Sequence, residues 1–303
     1  MQDDPTCPST TGGNATKNVE AEPSLVSQPR PGGGARLLGS GSDAAYVYAA
    51  MSRRAGGASL GIDLTPGKEC SLACVYCQVP RARAGPTRNR PAVDLKRLRR
   101  ELDIMLRSPP DSGWADLAVA GSGEPTLALN FEQALDRILE ASAEASFANP
   151  LRIYTNGLHL EKGSVRRALA KWTNQSGEVW VKLDALSDEM CAKLWRRKVT
   201  PAAHVARIWR FAEEQPIGIQ TTIMRGEGMV CLETLAHQLA AVVSWGLALG
   251  AKFHGIQLVS PTRPAGDLAA VRAARLTPAS RDELEVVARI LETELGLPVQ
   301  AFA

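Results

Sequence analysis

Between residues 59 and 294, short β-type runs alternate with longer helical patterns, and this rhythm limits the fold more than any other feature of the chain. The expected strands are Ser59–Thr65, Asp116–Gly121, Leu151–Asn156, Glu178–Asp184, Ile217–Met224 and Phe253–Ser260. The expected helices lie near Asp94–Arg107, Phe131–Ser146, Ser164–Trp172, Ser187–Trp195 with Ala202–Glu213, and Leu232–Leu249. A last helix, Pro278–Glu294, takes Thr277 as its N-cap and Pro278 in its first turn. Strands separated by helices imply parallel βαβ units with right-handed crossovers. Six such units are too few for a closed eight-stranded barrel. The expected fold class is therefore α/β, built of six βα units with parallel strands. Ligands of such folds gather at the C-terminal ends of the strands.

At the first of those ends lie Cys70, Cys74 and Cys77, spaced Cys-x3-Cys-x2-Cys with no fourth cysteine nearby. Three thiolates can hold three irons of a cubic [4Fe–4S] cluster and leave one iron without a protein ligand, whereas electron-transfer clusters usually take four cysteines. An open coordination position marks a catalytic metal. A zinc knuckle wants four N/S ligands, and the nearest histidine, His159, is far along the chain. A disulfide would leave one thiol over, and a Cys74–Cys77 redox pair would leave Cys70 without a role. Pro66, Gly67 and Pro80 flank the triad and favour a loop, which can wrap three thiolates round one cluster.

The triad, with Tyr76 just before its last cysteine, resembles the signature of the radical S-adenosylmethionine (SAM) superfamily. The resemblance implies an open six-unit barrel, a [4Fe–4S] cluster on Cys70, Cys74 and Cys77, and SAM chelated to the open iron. It also implies an enzyme: reductive cleavage of SAM to a 5′-deoxyadenosyl radical that abstracts hydrogen from a substrate. The backbone near Tyr76 is expected at the adenine, unless Tyr76 is simply a packing aromatic. Ser122-Gly123-Glu124-Pro125 resembles the Gly-Gly-Glu-Pro turn that receives the SAM ammonium, with Ser for the first Gly. That cation needs acceptors, close backbone approach and negative charge, which Gly123 and Glu124 suit. By the same resemblance, Thr155 and Asn156 face the ribose or methionine moiety, and the strand around Ile256-Gln257 packs on adenine.

Other residues are read from pattern. Lys182 and Asp184 alternate with apolar residues and so share one face. Two opposite charges on an inner face are costly unless paired or liganded. They form either a structural ion pair or a catalytic pair, with Lys182 on SAM carboxylate or substrate and Asp184 on ribose or orienting Lys182. Gln220 and Thr222 also share a face. Arg263 is either a surface arginine or an anion holder. Cys191 and Cys231 read as helix residues, and His204 and His237 have no partner at ligand spacing.

The fuller set, Gly61-Ile62-Asp63-Leu64-Thr65-Pro66, Cys-Val-Tyr-Cys-Gln, Gly-Ser-Gly-Glu-Pro-Thr-Leu, Tyr-Thr-Asn-Gly and Val-Lys-Leu-Asp-Ala, is similar to the branch that includes wyosine-type tRNA-modifying synthases. Two departures separate this chain from them: only Cys7 lies upstream, where they carry a second cluster, and the net charge is only +3. Arg81, Arg83, Arg88, Arg90, Lys96, Arg97, Arg99 and Arg100 nonetheless crowd one stretch, with Asp94 between, and such a run either grips RNA phosphates or forms a solvated face. The expected substrate is an RNA or a small molecule. The alternatives are modification or activation of a protein partner and, further off, a non-enzymatic cluster module. An electron donor such as flavodoxin or ferredoxin is implied.

Residues 1–36 are rich in Pro, Gly, Ser, Thr and Asn and read as a disordered tail, leaving 37–303 as the core domain. With 45% hydrophobic and 22% charged residues the composition is that of a soluble globular chain. No run reaches the ~20 apolar residues that span a bilayer, and Asp3 and Asp4 argue against a secretory signal. Free thiols and a thiolate-bound cluster favour a reducing compartment, so the expectation is cytoplasmic with no membrane contact.

Overall fold

The computed structural model describes residues 46–79 and 90–303. The expected tail and the basic residues Arg81, Arg83 and Arg88 lie outside the described residues. In chain order the elements are β1 (Val47–Ser52), β2 (Gly57–Ile62), α1 (Leu95–Arg107), β3 (Asp116–Val119), α2 (Phe131–Glu144), β4 (Leu151–Thr155), α3 (Gly163–Asn174) and β5 (Glu178–Lys182). There follow a single helical turn α4 (Asp188–Met190), α5 (Pro201–Ala212), β6 (Ile217–Thr222), β7 (Met224–Gly226), α6 (Leu232–Ala248), β8 (Phe253–Val259), α7 (Leu268–Ala273), β9 (Leu276–Pro278), α8 (Arg281–Leu295) and β10 (Val299–Phe302).

The main sheet runs β1-β2-β3-β4-β5-β6-β8-β10 and curls into an open half-barrel. From β2 to β10 every pairing is parallel, and β1 pairs antiparallel with β2. All six expected βα strands are present. Two flanking strands, β1 and β10, extend the sheet beyond them. β10 has four residues and β1 carries Ala49 and Ala50, so neither displays a long period-2 contrast.

Two expected helices are corrected. Thr277 and Pro278 do not open the last helix; they lie in β9, which pairs with β7. α8 starts after Ser280, whose hydroxyl accepts from Glu283 N at 3.3 Å while the Glu283 carboxylate accepts from Ser280 N at 2.7 Å. This reciprocal capping box satisfies two end donors, which Thr277-Pro278 does not. The expected helix Ser187–Trp195 is the turn α4 followed by a wide π-type turn, Cys191–Trp195, which Arg196 ends in the left-handed region at φ +53°.

Strand alternation separates two environments. Leu60, Ile62, Leu117, Val119, Ile153, Val179, Val181, Ile219, Ile256 and Leu258 bury one face against the helices in the main core. Each such side chain withdrawn from water contributes about 1.5–3 kcal/mol. The opposite, concave face carries Tyr154, Trp180 and Ala118 as a separate small cluster. Arg152 bridges Asp116 and Glu178 there, both at 2.9 Å, so this lumen is polar and ion-paired. Among the described residues no helix is long and apolar enough to cross a membrane.

Candidate functional site

The C-terminal ends of β2, β3, β4 and β5 meet at the cysteine loop. No helix forms between Asp63 and Val79. Asp63 opens the loop: its Oδ1 accepts from Thr65 N at 2.9 Å, and its Oδ2 accepts from Ser122 N at 2.9 Å. One carboxylate thus makes the turn after β2 and anchors the turn after β3. Glu124 N donates to the Glu69 carbonyl at 2.8 Å, docking the second turn on the residue before Cys70. The glycines are required by this closeness. A Cβ on Gly121 would overlap the Asp63 carboxylate, and one on Gly123 would overlap the Glu69 carbonyl.

Glu124 is 3% exposed, and both of its oxygens are engaged. Oε1 accepts from Thr126 Oγ1 and Thr155 Oγ1, each at 2.6 Å, and Oε2 accepts from Asn156 N at 2.8 Å. Burial raises its pKa, and these hydrogen bonds oppose the rise. The carboxylate therefore ties β3's end to β4's. Asn156 continues the chain of contacts. Its Nδ2 donates to Ser71 Oγ at 3.0 Å and lies 3.8 Å from Cys70 Sγ. Gly157, at φ +75°, lets the backbone turn away beneath it.

On the other side of the loop Tyr76 donates its hydroxyl to Asp184 Oδ2. Asp184 is 1% exposed; its Oδ1 accepts from Thr222 N at 2.6 Å, and Trp195 Nε1 reaches Oδ2 at 3.4 Å. Lys182 lies 3.5 Å from Asp184, donates to Thr222 Oγ1 at 2.9 Å, and sits 5.3 Å from the Tyr76 ring centroid. Both Lys182 and Asp184 thus meet the cysteine loop at Tyr76. Burial, then the nearby Asp184 charge, pushes the metal-free Cys74 thiol up to about 12.

Gln257 is placed apart from this cluster of contacts. β6, β8 and β10 bring Gln220, Gln257 and Gln300 into register, and Gln220 is in register with Lys182. Gln220 Nε2 donates to Gln257 Oε1 at 3.1 Å, making an amide ladder across the lumen. β8 is an interior strand, because β10 covers its far side.

Three participants were not singled out from sequence: Asp63, Glu69 and Trp195. Asp63 carries the Asp-x-Thr signal of a side-chain-capped turn, which marks it in retrospect. Glu69 Oε2 is buried with no hydrogen-bond partner, one residue before Cys70. That carboxylate lies against Gly67 within the cysteine loop, and a buried oxygen without a partner there is an acceptor open to a cation. Among the described residues no three His, Cys, Asp or Glu side chains are placed to hold a single metal ion. Three thiols on one loop match in number a [4Fe–4S] cluster that leaves one iron without a protein ligand.

An open parallel α/β half-barrel with a three-cysteine loop at its strand ends defines a class of cofactor enzymes. A family model described as the Radical SAM superfamily matches residues 64–239, more than half of the chain, and the chain belongs to that superfamily. Its members use a [4Fe–4S] cluster and SAM. No curated protein sequence matches the chain.

Proposed function

We propose that this chain is a hydrogen-abstracting enzyme, similar to the wyosine-type branch, that acts on an RNA or a small molecule. Cys70, Cys74 and Cys77 would hold the cluster, and residues of the β3 and β4 turns would meet SAM. When bound, the pair supplies one-electron reductive cleavage of SAM and, from it, hydrogen-atom abstraction.

The carrying observation is the convergence of four strand ends on one cysteine loop. Glu124 and Thr155 hold the two turns in place, and Asn156 braces Cys70. Gly123 keeps the β3 turn in backbone contact with the residue before the triad. Lys182, steered by Asp184 and Thr222, presents a cation to the SAM carboxylate or to substrate. Gln257 and Gln220 supply amides deeper in the lumen for positioning. A flavodoxin or ferredoxin would deliver the electron.

The basic stretch supports an RNA partner only in part. Arg97 is paired with Glu101, Arg99 with Asp103 and Glu144, and Arg90 donates to the Leu127 carbonyl at 2.9 Å. Lys96 and Arg100 remain exposed on α1. The test is oxygen-free reconstitution, then SAM and dithionite, scored for 5′-deoxyadenosine with and without bulk tRNA. The reading expects product that Cys74→Ala abolishes. Product that rises only with a co-purifying protein, at stoichiometric ratio, would move the substrate class to proteins.

A further inference from the structure

A cavity of about 590 Å³ opens between the wide turn Cys191–Trp195 and the start of α5. Arg196, Arg197, Lys198, Thr200, Cys191 and Asp188 are among its lining residues. Its wall is joined to the cysteine loop: Ala73 N donates to Trp195 O at 3.1 Å, and Val75 N donates to Leu194 O at 2.8 Å.

The lining holds three cations and one acid. Arg196 is paired with Asp267 at 3.0 Å. Arg197 and Lys198 have no ion-pair partner among the described residues. Two nitrogens of Arg197, Nε and Nη2, are buried without any hydrogen-bond partner. A guanidinium keeps its charge; since these two nitrogens have almost no accessible surface, an anion in the cavity offsets the cost of burying that charge through space rather than by bonding to them. Cys191 supplies no anion, since burial, then the nearby Asp188, pushes its thiol up to about 11. The start of α5 adds to the field. Its N-cap Thr200 makes no side-chain capping bond, Pro201 follows, and the first turn holds no acid. The end of the helix thus leaves uncapped N–H donors and partial positive charge beside the cavity.

We propose that this cavity binds a compact phosphate group, a phosphomonoester or a pyrophosphate, carried by a small-molecule substrate. A tetrahedral phosphate offers three acceptor oxygens to a planar fork, an ammonium and helix N–H groups together. A nucleic-acid backbone would instead need an extended basic groove. The role of the phosphate as substrate handle rests on the hydrogen-abstraction reading above; phosphate binding itself does not.

The experiment is calorimetric titration of the reconstituted full chain with inorganic phosphate, pyrophosphate and acetate at constant ionic strength. It compares wild type with Arg197→Gln, Lys198→Gln and a surface control outside the lining, Arg225→Gln. The expected result is saturable, one-site binding of phosphate or pyrophosphate and none of acetate. Affinity should fall tenfold or more in Arg197→Gln, severalfold in Lys198→Gln, and not at all in Arg225→Gln. Because Lys198 is exposed, its variant tests the site even if Arg197→Gln misfolds. Absent binding, equal affinity in all variants, or competition by an oligonucleotide lacking terminal phosphates would overturn the proposal. If SAM cleavage persists while phosphate fails to bind, only this proposal falls. If phosphate binds without SAM cleavage, the reading of the active site falls instead.

Discussion

Replacing Glu124 by Ala tests whether the two turns are held by one carboxylate. The side chain is 3% exposed and accepts from Thr126 Oγ1, Thr155 Oγ1, Asn156 N and, more weakly at 3.3 Å, Thr126 N. The two hydroxyls can rotate toward other acceptors after truncation. The two backbone N–H groups cannot, and each stranded donor costs about 1–3 kcal/mol. Relief of the buried charge offsets part of this, since desolvation is the largest cause of the raised Glu124 pKa. The expected net loss is about 3 kcal/mol. Glu124→Gln keeps the shape, can still accept from Asn156 N, and lets the hydroxyls turn to accept from its amide, so its loss should be about 1 kcal/mol. Urea unfolding of the metal-free protein, at matched slopes, reads both numbers. An Ala variant within about 0.5 kcal/mol of wild type, the scale of an ordinary surface change, would refute the clamp. So would a Gln variant as unstable as Ala.

Gly123→Ala should destabilise far more than Gly113→Ala. A Cβ at 123 meets the Glu69 carbonyl, while one at 113 meets nothing within 4 Å and faces only backbone strain at φ +71°; thermal melts of the two variants check this. Stability should fall as the solution is acidified below about pH 6.5. His204 is fully buried with its pKa pushed down to about 4, so the unfolded chain takes up the proton first. The contribution is fully present above the unfolded value and is lost as pH falls towards 4, amounting to about 3 kcal/mol at ~1.4 kcal/mol per pH unit. About 2 kcal/mol of this falls between pH 7 and pH 5; urea midpoints at those two values measure that part, and an unchanged slope in His204→Leu would remove His204 as the cause. Cys191→Ser should leave iron loading intact, because Cys191 is 1% exposed in the main core, whereas Cys70→Ala, Cys74→Ala and Cys77→Ala should each lose it; iron content after reconstitution decides.

The six βα units were legible because short β-branched and aromatic runs such as Val179-Trp180-Val181 stand between amphipathic helices, a contrast that survives in one sequence. The turns Gly121-Ser122-Gly123-Glu124 and Thr155-Asn156-Gly157 were legible as composition, and their placement at successive strand ends followed from the fold. Orientation was not. Glu124 reads as a charge offered to a ligand, but which way its oxygens point depends on Thr126, Thr155 and Asn156, which only the folded chain brings together. The Gln220–Gln257–Gln300 ladder depends on strand register across β6, β8 and β10, which alternation within each strand does not specify. Asp184 was read as orienting Lys182 or touching ribose; which partners surround it, Tyr76, Trp195, Thr222 and Lys182, is set by the folded chain alone. The cavity beside α5 is invisible in sequence because Arg196-Arg197-Lys198 looks like any exposed basic run, and only the fold buries the Arg197 nitrogens and sets the three residues along one cavity.

The most direct test of the three-thiolate cofactor site is electron paramagnetic resonance of the reduced, oxygen-free reconstituted protein before and after adding SAM, with iron, sulfide and zinc assayed on the same sample. The account predicts iron and sulfide in equal amounts and a cluster signal that changes when SAM binds. Stoichiometric zinc, or a cluster signal indifferent to SAM, would contradict it.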